Sequence, residues 1–199
     1  MTQFEDGWAT FGPEFRFLRA DAFLRAPDLV PESDGGIYAV LLRGAGALLT
    51  ATGYFDLGGT PPVTIDGFLH VYTGSSYTLQ KRLKSHLDGE VRTSTLRKTL
   101  LAIDLFCGQR GCEIIGCRDA WDEETLSAWL VANALVAICS TAAPLSLEKD
   151  FLSRTPSPLN ITNRRASAYA RRLIAIRSQF EGRPIPQCCA EFAPNHIFL

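Results

Sequence analysis

The sequence predicts an α+β domain, a small antiparallel sheet covered by helices, from three observations. Two apolar runs of strand length, Ile37-Tyr38-Ala39-Val40-Leu41-Leu42 and Phe68-Leu69-His70-Val71-Tyr72, are bounded by glycine. The chain beyond them reads helix, helix, strand, helices, which is not the alternation of a parallel βαβ sheet. The chain has 199 residues, 46% of them hydrophobic, enough for one domain with extensions or a domain plus a small appendage, built around a proper core.

Residues 1–34 are rich in Pro and Asp and form an N-terminal arm lying on the domain, with a short helix around 20–25. Residues 36–43 are a buried strand. Residues 44–66 are an insertion punctuated by Gly and Pro, read as a hairpin of 47–52 and 53–57. The second strand occupies 67–73, and Gly74-Ser75-Ser76 breaks it and caps a helix near 78–88, where Leu79, Leu83, His86 and Leu87 share one side. Ser94-Thr95 opens a further helix over 94–103, and 111–116 reads as a third strand. Asp122-Glu123-Glu124 starts an apolar helix through Cys139, its acids placed where the helix dipole favours them. Pro144 separates that helix from a short one over 146–154, and a basic helix spans 163–179. This divides the chain into an arm (1–34), a central domain (35–163) and a basic C-terminal helix and tail (164–199).

The net charge of −1 hides an uneven distribution. The first 34 residues hold the acids Glu5, Asp6, Glu14, Asp21, Asp28, Glu32 and Asp34 against Arg16, Arg19 and Arg25. Lys81, Arg82, Lys84, Arg92, Arg97 and Lys98 dominate one later segment, and Arg164, Arg165, Arg171, Arg172, Arg177 and Arg183 another. Two basic helices suit a polyanion site, and they equally suit ordinary solvated helix faces. No apolar run reaches the ~20 residues of a membrane span, and the acidic start lacks the basic and apolar regions of a signal peptide. The expectation is a cytoplasmic protein with no membrane contact and six reduced cysteines. Neither the spacing of Cys107, Cys112 and Cys117 nor the adjacent Cys188-Cys189 matches a zinc ribbon or finger.

Chemistry-bearing residues fall in an ordered set. Gly36-Ile37-Tyr38 opens the first strand and Tyr72-Thr73-Gly74 closes the second. Arg82 lies ten residues after Tyr72, and His86 four after Arg82, on the same helix face. Glu148 precedes Asn160 by twelve, and Asn160 ends Pro156-Ser157-Pro158-Leu159-Asn160. In this order and spacing, residues 35–163 resemble the GIY-YIG nuclease family. Two departures stand out: Thr73 stands where that family usually has Ile, and the stretch between the tripeptides is longer than a plain hairpin needs.

The resemblance implies a mostly antiparallel three-stranded sheet between helices, here with an inserted hairpin and a helical C-terminal extension. It implies metal-dependent hydrolysis of phosphodiester bonds in DNA, with one Mg²⁺ or Mn²⁺ on Glu148. Arg82 would hold the scissile phosphate, for which a planar guanidinium is suited. Tyr38 would orient or deprotonate the attacking water, Tyr72 would support the site, and Asn160 would tie the Pro-rich turn to it. A phenol is a poor base at neutral pH unless positive charge lowers its pKa. His86 either relays a proton or packs beside Leu83 and Leu87. Ser75, Lys81, Lys84, Arg164, Arg171 and Arg172 are the expected nucleic-acid contacts. The same fold could instead serve as a non-catalytic nucleic-acid-binding or protein-interaction module, and RNA could replace DNA. The chain carries no recognisable targeting domain, so a protein partner would supply targeting; the sequence does not set an oligomeric state.

Overall fold

In the computed structural model, residues 9–119, 122–161 and 167–192 are described. Five strands form one sheet: β1 (Arg16–Arg19), β2 (Gly36–Leu42), β3 (Thr64–Ile65), β4 (Phe68–Ser76) and β5 (Ala134–Ser140). Their order is β1-β5-β2-β4-β3, and every neighbouring pair is antiparallel. The helices are α1 (Ala20–Arg25), α2 (Ala45–Ala51), α3 (Leu79–Asp88), α4 (Thr95–Gly108), α5 (Glu123–Asn133), α6 (Pro144–Arg154) and α7 (Ala168–Phe180).

β2 lies at the centre, and all seven of its residues are buried. Its side chains alternate between two cores, as a strand's period of two dictates. Tyr38, Val40 and Leu42 join Val136 and Ile138 of β5 in the larger core, with Leu83, Leu100, Leu126 and Leu173 from α3, α4, α5 and α7. Ile37, Ala39 and Leu41 join Leu135 and Ala137 in the smaller core, capped by Phe151 of α6 and by Phe11 and Phe15. The two phenylalanines pack at centroid distances of 5.4 and 5.5 Å from Phe151. α7 therefore belongs to the same core as the sheet. No helix of the described residues is long and apolar enough to cross a membrane.

Five sequence expectations need correction. The sheet has five strands rather than three, because 16–19 adds an edge strand on β5 and 64–65 adds one on β4. The third long strand is 134–140 and not 111–116. The helix expected through Cys139 stops at Asn133, and the run Ala134-Leu135-Val136-Ala137-Ile138-Cys139 continues as a strand buried on both faces between β1 and β2. An unbroken apolar run fits either element, and here its β-branched residues and its two strand neighbours decide. Residues 111–117 instead wrap the buried Asp104 carboxylate. It accepts from the backbone N–H groups of Ile115, Gly116 and Cys117 at 2.7, 3.1 and 2.9 Å.

The insertion holds a helix where a hairpin was expected. In α2, Ala45, Leu48 and Leu49 face the core at helical spacing. A hairpin does exist, further on: Ile65 pairs with Phe68 across Asp66-Gly67, whose φ values of 49° and 79° are those of a two-residue type I′ turn. Finally, Gly74-Ser75-Ser76 does not break the second strand, which runs to Ser76 before α3 begins. α3 starts after Thr78, and neither serine caps it.

Candidate active site

The site begins with two glycines. In the β2–β4 register Tyr38 lies opposite Gly74, and Val40 opposite Tyr72. A Cβ on Gly74 would overlap the Tyr38 hydroxyl, so the phenol lies directly over that backbone. A Cβ on Gly36 would overlap the Cys139 carbonyl oxygen of β5 and sit 2.8 Å from Leu79 Cδ1 of α3. Both glycines permit close approach of groups that a side chain would displace. Tyr38 and Tyr72 then face the same side of the sheet, their rings 6.3 Å apart.

α3 covers this face. Its His86 is completely buried and lies 5.4 and 5.5 Å from the Tyr38 and Tyr72 rings. His86 Nε2 and the Tyr38 hydroxyl are 2.6 Å apart, and His86 Nδ1 is 2.6 Å from Ser94 Oγ. Ser94 is the N-cap of α4 and accepts from the Arg97 backbone N–H at 3.2 Å. That arrangement matches an imidazole protonated at Nδ1, donating to Ser94 and accepting from Tyr38 at Nε2. Burial, then the Arg82 and Arg97 charges, hold the His86 pKa down at about 3. His86 is thus neutral near pH 7, and the two roles open at the sequence level merge: it packs in the core and also bonds the first phenol.

Arg82, one turn earlier on α3, is half-buried, and its charge acts on both phenols. Burial raises the Tyr38 pKa well above the ordinary phenol value; Tyr72 adds to the rise and Arg82 opposes it. Burial likewise raises Tyr72, against the Arg82 charge. Arg82 is therefore the cation that draws both phenols toward ionisation.

Glu148 approaches from the other side. α6 packs against β4 and β2. Ser75, opposite Ile37 in the register and so on the α6 face, donates a short hydrogen bond to Glu148 Oε2. The Glu148 charge adds to the upward pressure on both tyrosines. Glu148 lies beyond the first turn of α6, so stabilising the helix dipole does not account for it.

Asn160 fastens the second strand. Its Oδ1 accepts from Thr73 N–H at 2.8 Å and its Nδ2 donates to Thr73 C=O at 2.6 Å, so the amide completes the strand's hydrogen bonding as a neighbouring strand would. A bulge in the β2–β4 register skips Val71, whose carbonyl accepts from Leu159 N–H at 2.8 Å. The residue that departs from the family pattern has its own role: Thr73 Oγ1 lies 2.8 Å from His70 Nε2 and 3.2 Å from Ser157 Oγ. His70 is therefore held in a buried network beneath the site.

The structure thus brings together Tyr38, Tyr72, Arg82, His86, Ser75, Glu148 and Asn160. Other expected contacts lie elsewhere. Lys81 and Lys84 are exposed on α3. Arg171 pairs with Glu191 at 2.9 Å, and Arg172 sits over the Phe106 ring at 5.8 Å. Arg164 lies outside the described residues, as does the start expected for the last helix. Arg97, counted among the basic residues, is completely buried and binds Leu87 C=O, Glu123 Oε2 and Ser127 Oγ at 3.0, 3.0 and 2.9 Å. Sequence reasoning missed Ser94, whose N-cap position was readable although its bond to His86 was not.

The chain's own residues bear on which metal the site could hold. Among the described residues no three His, Cys, Asp or Glu side chains cluster in a metal-ligating group. The site offers the single carboxylate of Glu148, beside a hydroxyl. That fits a hard, largely hydrated divalent ion such as Mg²⁺ or Mn²⁺, which takes one or two carboxylates and keeps several waters.

A family model described as the GIY-YIG catalytic domain matches residues 64–179, more than half of the chain. The match takes in Tyr72, Arg82, His86, Glu148 and Asn160, and begins after the first tripeptide. Neither the comparison with curated proteins nor that with solved structures finds a match.

Proposed function

This chain belongs to the GIY-YIG family, whose catalytic domains are generally endonucleases, and we propose that it hydrolyses phosphodiester bonds in DNA at the site of Tyr38, Tyr72, Arg82 and Glu148, with one Mg²⁺ or Mn²⁺ bound at Glu148. The observation that carries this reading is the pairing of the two phenols on one face of the sheet, their rings 6.3 Å apart, with the Arg82 and Glu148 charges both acting on them.

The roles follow from the chemistry. Arg82 binds the scissile phosphate through two parallel N–H donors and neutralises charge as the phosphorus centre becomes five-coordinate. The Tyr38 oxygen orients the attacking water and takes its proton, so a bond from water oxygen to phosphorus forms as the bond to the leaving sugar oxygen breaks. The Tyr38 hydroxyl donates to His86 Nε2, which fixes the phenol's orientation; a Tyr38 that takes the water's proton does so as a phenolate, having given its own proton to solvent under the pull of the Arg82 charge. Tyr72, beside Arg82, steadies the guanidinium. Ser75 holds Glu148, and Asn160 holds the backbone between Tyr72 and Gly74. A bound divalent ion supplies Lewis-acid stabilisation of the developing charge.

The test is cleavage of supercoiled plasmid, linear duplex, branched DNA and RNA with Mg²⁺, Mn²⁺ or EDTA. Cutting of DNA by the wild type with metal only, abolished in Glu148→Gln and reduced by ~10²–10³ in Arg82→Ala, is the expected result. Cleavage unchanged by both substitutions refutes the assignment. Binding without cleavage under any metal makes the domain a non-catalytic binding module, and cleavage of RNA alone reassigns the substrate.

A further inference from the structure

A second cationic cluster adjoins the site. The α7 C-terminus ends in a Schellman motif: Arg183 N–H donates to Ser178 C=O at 2.7 Å and Gly182 N–H to Gln179 C=O at 3.0 Å, with Gly182 at φ 63°. This turns Arg183 back over the last helical turn, onto Glu181. Arg183 binds Glu181 Oε2, while Arg177 and Lys98 stand 3.8 and 3.9 Å from Glu181 Oε1. Three cations around one carboxylate leave a local charge of +2 (3 − 1). The separations of Arg177 and Lys98 are too long for hydrogen bonds, so their donors are only partly used. Among the described residues, Arg177 Nε is buried with no acceptor.

Arg177 and Arg183 line a cavity of about 430 Å³. Its other walls fix where it lies. Ile161 follows Asn160, which holds the strand of Tyr72, and Thr95 follows Ser94, which bonds His86. The cavity thus lies on the α4–α7 side, next to the residues that hold the Tyr72 strand and His86. A carboxylate shared among three cations can be joined or replaced by a phosphate, which offers more acceptor oxygens to the same forks.

We propose that Arg177, Arg183 and Lys98 form a subsite for a nucleic-acid backbone phosphate next to the one that is cut, with Glu181 holding the cations when the strand is absent. The subsite rests on the nuclease reading above. It contacts backbone only, so it adds affinity and register without reading sequence.

The test is fluorescence anisotropy of the full chain with a labelled DNA duplex in EDTA, titrated over roughly 50–200 mM salt, beside the cleavage assay. The salt slope should flatten by about 0.9 for each lost phosphate contact. Arg183→Ala and Arg177→Gln are expected each to weaken binding and flatten the slope by that amount, and Glu181→Gln to tighten binding. Arg183 is 62% exposed, so its truncation does not threaten the fold. Unchanged affinity and slope in both arginine variants, with wild-type cleavage intact, overturn the subsite alone. A wild-type protein that neither binds nor cuts DNA overturns the functional reading, and the subsite with it.

Discussion

His86 makes a quantitative link between the site and stability. The ring is fully buried, bonded at both nitrogens, and faces Arg82 and Arg97, so its pKa falls from 6.5 to about 3. A depressed histidine contributes stability that is complete above its unfolded pKa and is lost as pH falls toward its folded pKa. At pH 7.5 almost nothing is lost. At pH 5 the unfolded chain takes up a proton that the folded chain refuses, costing about 2 kcal/mol, and near pH 3 the cost approaches about 4–5 kcal/mol. The assay is urea unfolding of the wild type and His86→Phe at pH 7.5 and pH 5. The variant loses the Tyr38 and Ser94 hydrogen bonds and is less stable throughout. Carboxylates contribute alike to both proteins, so the wild type should lose about 2 kcal/mol more than the variant between the two pH values. Equal losses refute the reasoning, as does an NMR titration of His86 with a midpoint near 6.5. The same neutral ring means that the rate–pH profile has no limb near 6.5 from this residue. If Tyr38 ionises, the rate rises above neutrality, and Tyr38→Phe flattens that rise.

Two further substitutions probe the scaffold. Asn160→Ala strands a buried N–H and C=O on Thr73; at ~1–3 kcal/mol per group the loss is about 2–6 kcal/mol, or roughly 4–24 °C in Tm by scanning calorimetry, and an unchanged Tm contradicts the role. Gly74→Ala places a methyl on the Tyr38 hydroxyl; it should cost about 1–3 kcal/mol in urea unfolding and lower cleavage, and full stability with full activity would show that Tyr38 does not lie there.

Several features are legible in the chain because their causes are local. The strand at 36–42, the helix carrying Arg82 and His86 at i and i+4, and the Ser94 cap all follow from short-range pattern. The Asp66-Gly67 turn is equally local, and that dipeptide is a stronger hairpin signal than the small residues between 47 and 57, where the hairpin was expected. The strand at 134–140 is not legible, since an unbroken apolar run is compatible with a buried helix or a buried strand until its neighbours are known. The residues at 111–117 fail for the opposite reason: their backbone donors go to a carboxylate on another element, the helix α4.

The sequence by itself determined which chemistry-bearing groups exist and their order, two phenols, a guanidinium, an imidazole, a carboxylate and an amide, because motif spacing is a property of the chain. Only the tertiary structure decided their states and partners. Burial makes His86 neutral, Ser94 orients it, and Ser75 anchors Glu148. Desolvation and helix rotation set those outcomes, and both depend on what packs against a residue from distant parts of the chain.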